Sequence, residues 1–113
     1  MKGFDIDKIQ IKIQSPEVKI TEELDTYLKN RIENLGKVFG NIKRCELMLR
    51  PQKNNKQHNC EVEIKLFVPA HMLFASAQSV NFNQAAKSAF DELHQQLYKL
   101  KDIITDKTNS NLS

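Results

Sequence analysis

Ile9, Ile11 and Ile13 alternate with Lys8, Gln10, Lys12 and Gln14. A period of two in β-branched residues predicts a half-buried strand. Ser15-Pro16 ends it, because proline lacks a ladder donor. The period then changes. Leu24, Tyr27, Leu28, Ile32 and Leu35 recur at three and four, which predicts an amphipathic helix. Thr21 stands where a hydroxyl caps that helix, and Glu22 and Glu23 suit the positive end of its dipole. Gly36 and Gly40 mark the exit, with fraying expected between them.

Period two returns over 42–50, where Cys45, Leu47 and Leu49 share a face. Pro51-Gln52-Lys53-Asn54-Asn55-Lys56-Gln57 has the composition of an exposed turn. A third strand over 58–68 carries Cys60, Val62, Ile64, Leu66 and Val68 on its inner face. Pro69-Ala70-His71 turns the chain into a fourth strand over 72–78, with Leu73, Ala75 and Ala77 inward. Phe82, Ala86, Ala89, Phe90, Leu93, Leu97, Leu100 and Ile104 then trace about six turns of helix. Residues 105–113 hold a single apolar position and are expected to form a disordered tail after a domain spanning 1–104.

The order β-α-β-β-β-α predicts an α+β two-layer fold. A right-handed crossover joins the first two strands in parallel, and the rest form an antiparallel meander. Each strand has one apolar face and each helix one apolar stripe. The economical packing is therefore a four-stranded mixed sheet with both helices on one face and the other face solvated.

The chain has 113 residues, enough for one domain to bury a core without disulfides or metal. No apolar run approaches a membrane span, and the acidic, lysine-bearing N-terminus does not read as a secretory signal. Two cysteines fit a reducing, cytoplasmic setting better than a disulfide framework. A hairpin centred near residue 54 places Cys45 opposite about residue 63, too far from Cys60 for a bridge. The net charge is +3, and residues 41–70 account for all of it, with six basic and three acidic side chains. The cluster Lys43, Arg44, Arg50, Lys53 and Lys56 is either a solubilising hairpin or a phosphate-contacting finger.

Little catalytic chemistry is legible. The three glycines are scattered and make no phosphate-cradling loop, and His58, His71 and His94 fall on or beside different elements. Glu61, Glu63, Asp91 and Glu92 take outward positions with nothing to desolvate them. The expectation is a binding protein, neither an enzyme nor a holder of cofactor or metal. Phe67 and Phe74 point outward on the sheet, either to stack on bases or simply to cover its bare face. Lys29, Arg31 and Lys37 lie off the stripe of the first helix. On the second, Lys87, His94 and Lys101 follow one line with Lys99 beside it. Side by side, the two helices would present one electropositive surface to phosphates.

These segments resemble the ribosome hibernation promoting factor family, which includes ribosome-associated translation inhibitors, ribosomal subunit interface proteins and sigma-factor modulation proteins. The likeness rests on Val18-Lys19-Ile20-Thr21-Glu22-Glu23-Leu24 opening helix one and on Leu35 through Phe39 closing it. It rests also on Leu73-Phe74-Ala75-Ser76-Ala77 leading into helix two, and on Gln96-Leu97-Tyr98-Lys99-Leu100-Lys101 near its end. The resemblance implies a fold loosely like that of double-stranded-RNA-binding domains. It implies small-subunit rRNA, at the mRNA and tRNA channel near the decoding centre, as the partner, and ribosome inactivation in stationary phase or stress as the role. Arg31, Lys99 and Lys101 match basic family positions; Lys29, Lys37 and Lys87 are added from helix geometry, and Arg50, Lys53 and Lys56 from the basic loop. Asn34, Glu92 and Gln95 stand where members commonly carry cations, and Asn81-Phe82-Asn83 replaces Asp-Met-Tyr. The chain resembles the short form, with no recognisable dimerisation domain. The alternative reading is a regulatory protein-interaction domain that kept the fold and lost most rRNA affinity.

Overall fold

The computed structural model describes residues 9–52 and 59–112, with side chains described as far as Leu100. Six elements follow in order: β1 (Gln10–Gln14), α1 (Glu22–Phe39), β2 (Arg44–Pro51), β3 (Cys60–Val68), β4 (His71–Ser79) and α2 (Phe82–Leu112). The four strands form one sheet in the order β1-β2-β3-β4. β1 pairs parallel with β2, and the other neighbours are antiparallel. This is the α+β two-layer arrangement that the periodicities predict.

The core explains the layering. Cys45, Leu47 and Leu49 from β2, Val62, Ile64, Leu66 and Val68 from β3, and Ala75 from β4 are buried on one sheet face. Leu24, Leu28, Ile32 and Leu35 from α1 pack there with Ala86, Ala89, Phe90, Leu93 and Leu97 from α2. The cluster contains no buried charged side chain among the described residues. Burial drives this assembly, at about 25 cal/mol for each Å² of apolar surface removed from water.

Local chemistry sets the element ends. The Leu24 amide donates to Thr21 Oγ1 at 3.1 Å, the expected N-cap. Gly36 does not loosen α1. It lies buried within the helix, which continues to Phe39. Gly40 alone closes it, at a φ of 88°, and its amide donates to the Gly36 carbonyl at 2.7 Å. At α2, Asn81 Oδ1 accepts from the Gln84 amide at 2.8 Å, so the replacement of aspartate there still supplies a cap. Helical backbone runs on to Leu112, beyond the last stripe position at Ile104, where composition predicts a tail.

The β2–β3 register differs from the sequence estimate. Cys45 lies opposite Leu66, and Cys60 opposite Pro51. The hairpin is therefore centred later than residue 54, and the two cysteines are six positions apart along the ladder. That is about 20 Å, and both thiols are free. Burial, aided by nearby Glu46, pushes the Cys45 thiol up to about 12.

Candidate nucleic-acid interface

The helices bring part of the expected cation set together. Arg31 leaves α1 over the Phe90 and Tyr27 rings, with its guanidinium carbon 5.3 and 5.9 Å from their centroids. It donates to Tyr27 Oη at 3.0 Å and, across the helix seam, to Asp91 Oδ1 at 2.9 Å. Lys87, one turn before Asp91 on α2, donates to the other carboxylate oxygen at 3.0 Å. One carboxylate thus organises two cations. Burial alone would lower the Arg31 guanidinium, but the bonds from Asp91 and Tyr27 outweigh it and hold it above its ordinary value. The Asp91 carboxyl is held below its ordinary value by Arg31 first and Lys87 second.

This changes the standing of Arg31. The sequence reading places it on an exposed face, whereas its side chain is only 20% exposed and ties α1 to α2. His94, expected in line with Lys87, is half-buried and stacks on Tyr98 with centroids 4.8 Å apart. Lys29 pairs with Asp25 at 3.0 Å on its own helix. Lys37 and Lys99 are exposed and make no ion pair among the described residues. Lys101 belongs to α2, but its side chain lies outside the described residues. Among the described residues the helix layer therefore offers two free lysines, two cations shared with Asp91, and Lys29 in a surface pair that water and salt weaken.

The basic stretch near the β2–β3 loop behaves differently. Arg50 sits on the open sheet face, opposite Glu61 in the ladder. It donates to Glu61 at 2.9 Å and also to Glu63, and these bonds raise its guanidinium further. Arg44 is likewise paired with Glu46. Lys53 and Lys56 lie outside the described residues. Arg50 and the helix cations are on opposite layers, so no flat strip of backbone phosphates touches both. Sequence reasoning missed Asp91 as an organiser. Its spacing four residues after Lys87 was a readable sign, but the reach of Arg31 across the seam was not.

Other features say what the domain does not offer. A groove of about 470 Å³ beside the start of α1 is lined by Glu22, Glu23, Thr26, Tyr27 and Asn30, and its carboxylates disfavour phosphate. The described residues hold no group of three or more metal-ligating side chains. No helix among them is long and apolar enough to cross a membrane.

Residues 11–105 match the family model described as sigma 54 modulation protein / S30EA ribosomal protein. Among solved structures the chain is similar to a ribosomal subunit interface protein from Coxiella burnetii, at 18% identity and a TM-score of 0.72. That match covers 82% of this chain and 98% of the other. It is similar also to the N-terminal domain of Thermus thermophilus Protein Y, at 16% identity and a TM-score of 0.68, covering 80% and 98%. At these identities the two structures show a shared fold. Among curated proteins the chain finds no significant match.

Proposed function

The chain belongs to the family of sigma 54 modulation proteins and S30EA ribosomal proteins, and from that premise we propose that it is a ribosome-associated translation inhibitor that contacts small-subunit rRNA through its helix layer. The observation that carries the reading is the family match over residues 11–105. The named neighbours, a ribosomal subunit interface protein and Protein Y, support it.

The proposed contact is to backbone phosphates, by Lys29, Arg31, Lys37, Lys87, Lys99 and Lys101. Lysines without fixed partners suit that task, because phosphate neutralisation releases counterions without requiring a planar fork. The mRNA and tRNA channel near the decoding centre is the proposed seat, which would exclude translation ligands by occupancy alone. Arg50, Lys53 and Lys56 are a secondary contact at most, since Arg50 is already bonded to two glutamates.

The test is sedimentation of tagged protein in a stationary-phase lysate, followed by cell-free translation with added protein. Comigration with small subunits and whole ribosomes, with dose-dependent inhibition, is expected. Replacing Lys29, Lys37 and Lys99 together by Ala should release the protein at lower salt and leave folding intact, as all three are exposed. Protein that stays at the top of the gradient, with translation unaffected, would favour the regulatory protein-interaction reading. The neutralising effect of Asp91 on Arg31 and Lys87 is the feature on that side.

A further inference from the structure

The helix-layer proposal leaves the open sheet face unused, and the chemistry of that face is uneven. The strand register arranges its outward side chains in rows. Toward the β2–β3 loop, Arg50, Glu61 and Glu63 satisfy one another. At the other end one row runs Lys12, Glu46, Lys65 and Phe74, and the next runs Gln10, Arg44, Phe67 and Met72. Phe67 and Phe74 are diagonal neighbours on β3 and β4, with backbones roughly 7–8 Å apart. Phe74 is 44% exposed and Met72 51%. The Arg44 guanidinium lies 5.7 Å from the centre of the Phe67 ring.

Cations surround these rings. Lys43 is held beside Phe67 by its own amide, which donates to the Phe67 carbonyl at 2.8 Å. Lys12, Lys43 and Lys65 are exposed and have no acidic partner among the described residues. Glu46 is the one carboxylate in the two rows, and Arg44 engages it. This corner therefore joins the exposed Phe74 ring, with the half-buried Phe67 ring beside it under Arg44, to a net positive rim.

We propose that this corner binds single-stranded RNA, with Phe74 and Phe67 stacking on bases and Lys12, Lys43 and Lys65 meeting phosphates. Stacking on aromatic side chains beside a cationic groove is the general solution for unpaired strands. A duplex hides its base faces and does not fit. A second copy would set like-charged rims against each other. The neighbouring depression, lined by Met48, Glu63 and Lys65, is about 80 Å³, against roughly 300–1,000 Å³ for small-molecule sites. The inference does not depend on ribosome association, because it concerns the sheet face turned away from the helices.

The test uses purified full-length protein and short fluorescein-labelled oligoadenylate, oligouridylate and an RNA duplex, read by anisotropy over a salt series. Both single strands should bind more tightly than the duplex. Phe74→Ala should weaken single-strand binding about tenfold, while Phe74→Trp retains it. Lys65→Ala should lower the salt slope by about 0.7. Replacing Lys37 and Lys99 by Ala should leave the preference for single strands over duplex unchanged, which separates this site from the helix layer. Crosslinks from bromouridine-substituted oligomer should map to the β3 and β4 peptides. The proposal is overturned if the oligomers do not bind, if folded Phe74→Ala binds like wild type, or if the helix variant alone loses binding. A concentration-dependent dimer abolished by Phe74→Ala would show a second copy on the corner and overturn it equally.

Discussion

Asp91→Asn removes the negative charge that Arg31 and Lys87 share while keeping nearly the same shape. The Lys87 pair is an exposed pair four residues apart, worth about 0.3–0.5 kcal/mol. The Arg31 bond is charge-assisted and part-buried, a class worth about 1.5–3 kcal/mol. Asp91 itself is 48% exposed, so solvent screening brings that bond to about 1 kcal/mol. The variant should lose about 1–1.5 kcal/mol, or about 4–6 °C of melting temperature. Urea unfolding at several pH values provides the sharper check. Bonds from Arg31 and then Lys87 depress the folded carboxyl. Its contribution is therefore complete above the unfolded value, near 3.9, and is lost as pH falls through the lower folded one. The gap between wild type and variant should hold from neutral pH to about pH 5 and shrink below about pH 4. Asp91→Asn also frees two cations on the proposed rRNA face, so the salt slope of ribosome binding should steepen by about one unit. Equal stability at neutral pH, or a gap that survives full protonation, would refute the electrostatic tie. An unchanged salt slope would remove Arg31 and Lys87 from the interface.

Ala70 has a φ of 68° after Pro69 in the β3–β4 turn, a position where glycine avoids the Cβ clash. Ala70→Gly should stabilise by up to about 1 kcal/mol, read as a raised urea midpoint. Gly40→Ala should do the reverse by about 1–2 kcal/mol; its open surroundings leave the backbone as the only source of cost. Under native conditions a maleimide should label Cys60 well before Cys45, since Cys60 is partly exposed and Cys45 is buried with its thiol pushed up to about 12; equal rates would mean that the β2 core opens.

The elements were legible because each has one apolar face and a clean period. Register was less so, for an instructive reason. Antiparallel partners share a face, and the inward residues are odd-numbered on β2 and even-numbered on β3. Cys45 therefore cannot face residue 63, and parity alone excludes a hairpin centred on a whole residue such as 54. Nothing local decides among the remaining centres, because the length of an exposed loop is weakly constrained. Once the register is known, Arg50 opposite Glu61 follows directly.

The same distinction governs the candidate site. The sequence locates charge, but function depends on charge that is left over after folding. The whole +3 excess lies in 41–70, yet folding engages Arg44 with Glu46 and Arg50 with Glu61 and Glu63. Helix two is neutral by count, yet it presents Lys99 without an ion-pair partner among the described residues. Counting only cations without acidic partners among the described residues removes Arg44 and Arg50 from the basic stretch and leaves Lys43 and Lys65 there. Lys37 and Lys99 remain on the helices, Lys19 just ahead of α1, and Lys12, Lys43 and Lys65 on the sheet corner. Two separate sets on opposite layers imply two separable salt dependences. Ribosome binding should respond to the first set and single-strand binding to the second, since each follows only the phosphates its own face neutralises.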